Sequence, residues 1–339
     1  LSSNKNIKII IYNQVNILIP WNGLGRMHDK YVIADDSLYI LGGRNTFGYF
    51  LGDYAGHKNY DRDVLVYNTG SKDSSIYQIK DYYKKITSQK CCSVFHCNES
   101  LGEKNSVKKA EQELKNRYES LENKYDKFLA ENYDYKANTY ETNKINLLSN
   151  PTSLYAKQPT VYYGLMYLAK NAKKEVKIHT PYIICNGYMY NELKNIKVPT
   201  TIMTNSAENN GNIFGAVDYL NHKKDIINTG VTIKEYEGGI SYHGKSMTID
   251  DDIAIVGSFN MDMRSAYIDT ELMLVINSKD INKQLKASME EYEKKAATVK
   301  NETEYSHIPE GMKMKELSDK KKNIKAWFGW AMNGLRFLF

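Results

Sequence analysis

Along this chain, short stretches in which apolar and polar residues alternate give way to stretches with apolar positions three and four apart, and then return. Alternation marks half-buried strands, and the longer period marks helices. From residue 159 onward the switching is regular. It predicts a helix over Val161–Lys173, a strand over Val176–His179, a helix around Tyr188–Lys194, a strand over Thr200–Thr204, a helix over Ile213–Lys224 and a strand over Val231–Tyr236. Strands separated by helices predict an α/β unit with a mixed, largely parallel sheet. Near the start, Ile7–Tyr12 reads as a strand, with Val15–Ile19 as a second candidate.

One pattern occurs twice. Residues 28–45 align without a gap on residues 243–260, with identity at His28/His243, Lys30/Lys245, Asp35/Asp250, Asp36/Asp251, Ile40/Ile255, Gly42/Gly257 and Asn45/Asn260. Each copy reads as a hairpin: Lys30–Ala34 and Leu38–Leu41 around Asp35-Asp36-Ser37, then Ser246–Ile249 and Ile253–Val256 around Asp250–Asp252. Internal repetition of this kind predicts a duplicated α/β fold of two halves. Only 27 residues precede His28, so the repeat predicts a first half lacking an opening β/α segment at its N-terminus. The expected divisions are 1–100 for the first half, 101–150 for a helical insertion and linker, 151–300 for the second half and 301–339 for a basic, aromatic tail.

Within the insertion, Val107, Ala110, Leu114, Tyr118, Leu121, Tyr125 and Leu129 form one apolar stripe on a Lys/Glu-rich helix. It reads as a packing face, with a lid or a dimerising coil as alternatives. Residues 143–153, with Pro151, read as the linker. In the tail, Lys320, Lys321, Lys322 and Lys325 precede Trp327, Phe328, Trp330, Leu335, Phe337, Leu338 and Phe339. Such a helix either lies on an anionic membrane surface or packs on the protein's own core.

Composition narrows the partners. A net charge of +6, from 46 basic and 40 acidic residues, suits a phosphate-bearing substrate but is too balanced for a nucleic-acid coat. Cys91, Cys92 and Cys97 crowd around His96, but their spacing does not match a zinc knuckle, so surface thiols or a local disulfide are the better reading. No apolar run reaches the roughly 18 residues that a membrane span needs. The chain opens on Leu1, and an anchor or signal upstream is the corresponding expectation.

Residues two apart on a strand share a face, which groups His28 with Lys30, His243 with Lys245, Gly43 with Asn45 and Ser258 with Asn260. Two histidines can flank a phosphodiester in line, one attacking phosphorus and one protonating the leaving alcohol. Two lysines, Asn45, Asn260 and Ser258 can surround its equatorial oxygens. No metal or cofactor is then required. Each imidazole needs an acid on its other nitrogen; Glu271 is the candidate for His243, and Asp63 for His28. Asp35 and Asp250, at the turns, are expected to brace the hairpins. His57, His179, His222 and His307 lack such company and read as ordinary.

Read as His28-Asp-Lys30-Tyr-Val-Ile-Ala-Asp35 and His243-Gly-Lys245-Ser-Met-Thr-Ile-Asp250, these motifs resemble the paired His-x-Lys-x4-Asp motifs of the phospholipase D superfamily. Thr180-Pro-Tyr182, Thr204-Asn205, Tyr236-Glu237 and Gly257–Ser265 through Glu271 are similar to bacterial cardiolipin synthases, as are Gly42-Gly-Arg-Asn45 with Tyr49 and Arg62-Asp63. The resemblance implies two α/β lobes with mixed sheets related by a pseudo-two-fold, meeting at one site. It implies phosphatidyl transfer through a phosphohistidine, with His28 attacking and His243 as acid and base. It further implies a phospholipid substrate such as phosphatidylglycerol, no nucleic-acid partner, and a place at the cell membrane, peripheral or anchored through a segment outside this chain. Hydrolysis to phosphatidic acid, a nuclease and a non-catalytic lipid-binding protein are the alternatives.

Overall fold

A computed structural model of the chain describes residues 1–18, 23–51, 59–125, 133–328 and 334–338. The first lobe comprises β1 (Ile9–Tyr12), β2 (Lys30–Ala34), β3 (Leu38–Gly42), β4 (Asn59–Tyr60), β5 (Asp63–Tyr67), α1 (Ser75–Thr87) and β6 (Cys92–Phe95), followed by α2 (Asn105–Lys124). The second comprises β7 (Lys144–Ser149), α3 (Thr160–Lys170), β8 (Val176–His179), β9 (Ile183–Ile184), α4 (Gly187–Lys194), β10 (Thr200–Asn205), α5 (Ile213–Ile227) and β11 (Thr232–Tyr236). It continues through β12 (Ser241–Tyr242), β13 (Ser246–Ile249), β14 (Ile253–Gly257), β15 (Met261–Asp262), α6 (Met263–Tyr267), β16 (Leu272–Asn277), α7 (Lys279–Glu293), β17 (Ala296–Val299) and β18 (Tyr305–His307) to α8 (Asp319–Phe328).

Nine strands of the second lobe form one mixed sheet in the order β18-β17-β11-β10-β8-β13-β14-β16-β7. Its parallel part is β8, β10 and β11, joined through α4 and α5 as the strand–helix alternation predicts. In the first lobe β2, β3 and β5 form a three-stranded antiparallel sheet. Strand alternation explains how the layers stack. On β14, Ile255 faces a core shared with α3, α4 and α5, whereas Ala254 and Val256 face a second core. That second core also takes Tyr39 and Leu41 of β3, Ile76 and Ile79 of α1, and Leu285 and Met289 of α7. The two sheets therefore meet face to face, which sets the hairpins β2–β3 and β13–β14 back to back.

The hairpin turns repeat in detail. Asp35 and Asp250 both adopt left-handed backbone, at φ +48° and +50°, a conformation aspartate tolerates better than bulky residues. The Asp250 carboxylate braces its surroundings by accepting from the backbone N–H groups of Lys173, Lys174 and Glu175. Asp36 pairs with Lys80.

Several expectations need correction. Residues 144–149 are not a linker but the edge strand β7, antiparallel to β16; the alternation in Lys-Ile-Asn-Leu-Leu-Ser is what a half-buried strand requires. The stripe on α2 is not a packing face, since that helix buries none of its residues and leaves Leu114 and Tyr118 exposed. Leu129 lies outside the described residues. No strand forms over residues 15–18, and Ile19 lies outside the described residues. All four cysteines are free thiols, so no disulfide closes around His96.

Candidate active site

Two short bridges join the lobes, and they are equivalent by the repeat. Met27 pairs in parallel with Thr270, and Tyr60 with Tyr242. The His28 N–H donates to Thr270 Oγ1 (3.3 Å), and the His243 N–H donates to the Tyr60 carbonyl (2.6 Å). The residue after each bridge partner then faces its opposite number. His28 Nδ1 lies 2.8 Å from Glu271 Oε1, and His243 Nδ1 lies 2.6 Å from Asp61 Oδ2.

This crosses the expected pairing. Glu271 serves His28, not His243, and Asp63 serves neither histidine. Strand register gives the reason: Gly42 pairs with Asp63 as Gly257 pairs with Met273, so Asp61 occupies the place of Glu271. Counting residues from the histidine misses this because the loop between β3 and β5 is the longer one. Asp63 instead holds Arg44 (Nε to Oδ2, 2.5 Å), whose guanidinium also donates to the Phe50 carbonyl. The Phe50 ring packs edge-on against the His243 imidazole at 5.0 Å.

Each lysine reaches back along its own strand. Lys30 Nζ donates to the His28 carbonyl, and Lys245 Nζ donates to the His243 carbonyl (2.5 Å) while lying against the imidazole. Ser258 was expected beside the substrate but is committed to Glu271, donating to Oε2 (2.5 Å) and accepting from the Leu272 N–H. Its repeat counterpart is Gly43, where a side chain would have to displace Asp61 and Lys245. A Cβ there would stand 2.5 Å from Asp61 Oδ1 and 2.9 Å from Lys245 Cδ. Asn260 donates to Tyr182 Oη (3.0 Å) and leaves Oδ1 buried without a partner among the described residues. Asn45 sits half-buried beyond Gly43.

Burial lowers both imidazoles; Lys30 and Lys245 lower His28 further, and Lys245 lowers His243, which falls to about 3. Burial also brings Lys30 down to about 8. The acids part company. Burial pushes Glu271 up to about 8 against the pull of Lys30 and Ser258. For Asp61, burial is outweighed by the Lys245 charge and the His243 hydrogen bond, which hold the carboxyl below its ordinary value. His243 feels the charge of His28, so the two pairs are within electrostatic reach of each other.

Of the other histidines, His179 is buried between Glu293 and Tyr242, and His222 pairs with Asp225. His57 lies outside the described residues. Among the described residues no three His, Cys, Asp or Glu side chains converge as metal ligands, and no helix is long and apolar enough to cross a membrane.

A duplicated α/β scaffold with one His-x-Lys strand per lobe is a phospholipase D-like fold. The family profile described as "Cardiolipin synthase, PLD-like domain" matches residues 165–292, and the chain is similar to proteins of the phospholipase D superfamily, cardiolipin synthases among them. Cardiolipin synthase 1 of Staphylococcus epidermidis is 30% identical over 159 residues, 46% of this chain and 32% of the relative. An uncharacterized protein of Helicobacter pylori is 25% identical over 332 residues, covering 86% of this chain and 64% of that protein. The crystal structure of a phosphatidylserine synthase from Haemophilus influenzae shares the fold. Its TM-score is 0.60 at 17% identity, covering 93% of this chain and 72% of that one. The chain thus spans less than two thirds of the length of these sequence relatives.

Proposed function

We propose that this chain is a cardiolipin synthase-like phosphatidyltransferase that works through a phosphohistidine. The crossed pair of histidine–carboxylate contacts carries the reading. Each Nδ1 is tied to an acid, which leaves Nε2 as the reacting atom at both histidines.

His28 attacks the phosphorus of a phospholipid, forming a P–N bond as the P–O bond to the headgroup alcohol breaks. His243 gives that alkoxide its proton. A second alcohol then attacks phosphorus, His243 takes the proton back, and the P–N bond breaks. Lys30, Lys245 and Asn260 are the donors for the equatorial oxygens. The division of labour follows the acids, because environments that push paired groups apart mark acid and base roles. Ionised Asp61 is placed to stabilise the imidazolium that His243 must become when it acts as the acid, against the burial and the Lys245 charge that lower it, whereas Glu271, raised by burial, leaves His28 neutral and nucleophilic. Phosphatidylglycerol is the proposed donor and acceptor, met at an anionic membrane surface, and no nucleic acid takes part.

The test supplies phosphatidylglycerol as the only lipid. Cardiolipin and free glycerol are expected in equal amounts. Phosphatidic acid as the main product would make the protein a hydrolase with the same histidine chemistry, and comparable cleavage of a nucleic-acid phosphodiester would remove the lipid assignment.

A further inference from the structure

Lys321, in the first turns of α8, is far from either motif in sequence and buried in the fold. Its ammonium donates to three backbone carbonyls of one loop, those of Ala207 (2.8 Å), Glu208 (2.6 Å) and Asn210 (3.0 Å). The loop answers in kind: the Glu208 carboxylate accepts from the Ser318 N–H (3.0 Å) at the start of the same helix. Burying an ammonium is costly unless its donors are matched, and three convergent carbonyls match them.

The loop in turn holds the site. Asn209 Nδ2 donates to Asn205 Oδ1 (3.2 Å) and to the Ile240 carbonyl (3.3 Å). Asn205 clasps the backbone of Tyr242 from both sides, accepting from its N–H (2.8 Å) and donating to its carbonyl (2.7 Å). The next residue is His243. Asn205 and Asn210 also donate to the Pro181 carbonyl, and the next residue there is Tyr182, which holds Asn260.

We propose that Lys321 is a positioning residue: it pins the 206–210 loop, and through Asn205 and Asn209 it sets the backbone that presents His243 and Asn260. The inference rests on the reading of His243 as acid and base. It makes the C-terminal helix a working part of the site.

The test compares Lys321→Ala with Arg336→Met in the full chain. Arg336 anchors the tail elsewhere, to Asp218 and the Cys185 carbonyl, so its loss tests the tail without touching the loop. With a chromogenic phosphodiester, Lys321→Ala is expected to lower kcat by tenfold or more with KM within twofold. Added methylammonium, which can refill the carbonyl cage, is expected to restore part of it, and Arg336→Met to leave kcat unchanged. Equal losses in both variants, or full activity in Lys321→Ala, would overturn the proposal. A second readout separates this from the proposed reaction. The imidazole resonances of His243, assigned by their loss in His243→Asn, are expected to shift in Lys321→Ala even if no substrate is turned over, and unshifted resonances would overturn the pin. Should Lys321→Ala not fold, Lys321→Arg applies the same readouts, since a planar guanidinium cannot match three convergent carbonyls.

Discussion

Asp61 and Asp63 lie two residues apart and face different partners, which makes them a sharp test of the site. Asp61→Asn should lower turnover by about 10²–10⁴-fold, the range for losing the acid that orients a catalytic imidazole. Asp63→Asn acts only through Arg44 and the Phe50 backbone and should cost far less. Steady-state kinetics on both variants decides between them, and equal losses would undo the Asp61 assignment. Glu271 leaves a signature in stability. Folded, it holds its proton up to about pH 8, whereas the unfolded chain releases it near 4.5, so stability should fall as pH rises across that window. Asp29, raised by burial to about 7, pulls the same way. Above pH 8 the sign reverses, because folded Lys30 releases a proton that the unfolded chain keeps up to about 10.5. Glu271→Gln should therefore abolish turnover yet gain in Tm over the parent, the gap widening from pH 5 to pH 8 in calorimetry; a gap that stays constant would mean that Glu271 is ionised throughout.

Hairpins carry the site, and their glycines carry the hairpins. A Cβ on Gly257 would stand 2.1 Å from the Leu272 carbonyl oxygen on the neighbouring strand, and Gly42 is enclosed in the same way by Arg62 and Asp63. Gly257→Ala should cost about 1–3 kcal/mol or more, read as a lowered Tm, and an unchanged Tm would mean that the strands can part cheaply. Both hairpins were legible in the sequence because their two-residue alternation and acidic turns are local signals, and they fall within a residue of the observed bounds. The strand–helix alternation from Thr160 to Tyr236 was legible for the same reason. What pairs across the lobes was not. The crossing of Glu271 to His28 depends on bridges between residues some 180 to 240 positions apart, for which one sequence has no local signal. Strand β7 was hidden by Pro151 and its polar neighbours, and the exposed stripe of α2 shows that period alone cannot say whether a face finds a partner.

At the scale of the molecule, the tail packs on the protein itself and still leaves apolar side chains open. Lys321 and Arg336 tie it to the second lobe, and Arg264 donates to the Leu338 carbonyl, while Trp327 is 80% exposed and Leu335 and Phe337 also face outward. Replacing Trp327 and Phe337 by Ala should weaken co-sedimentation with anionic liposomes and leave Tm unchanged, whereas truncation after Asp319 should lower Tm as well. Undiminished sedimentation of the double variant would take the tail off the membrane. The crossed contacts also have a temporal consequence. During synthesis the first lobe emerges with His28 but without Glu271, and His243 later joins an Asp61 that has waited for it. Neither half is armed alone. On the proposed chemistry the two crossed pairs act as an interlock with two keys, because His28 has no acid beside it until the strand carrying Glu271 has been made and docked.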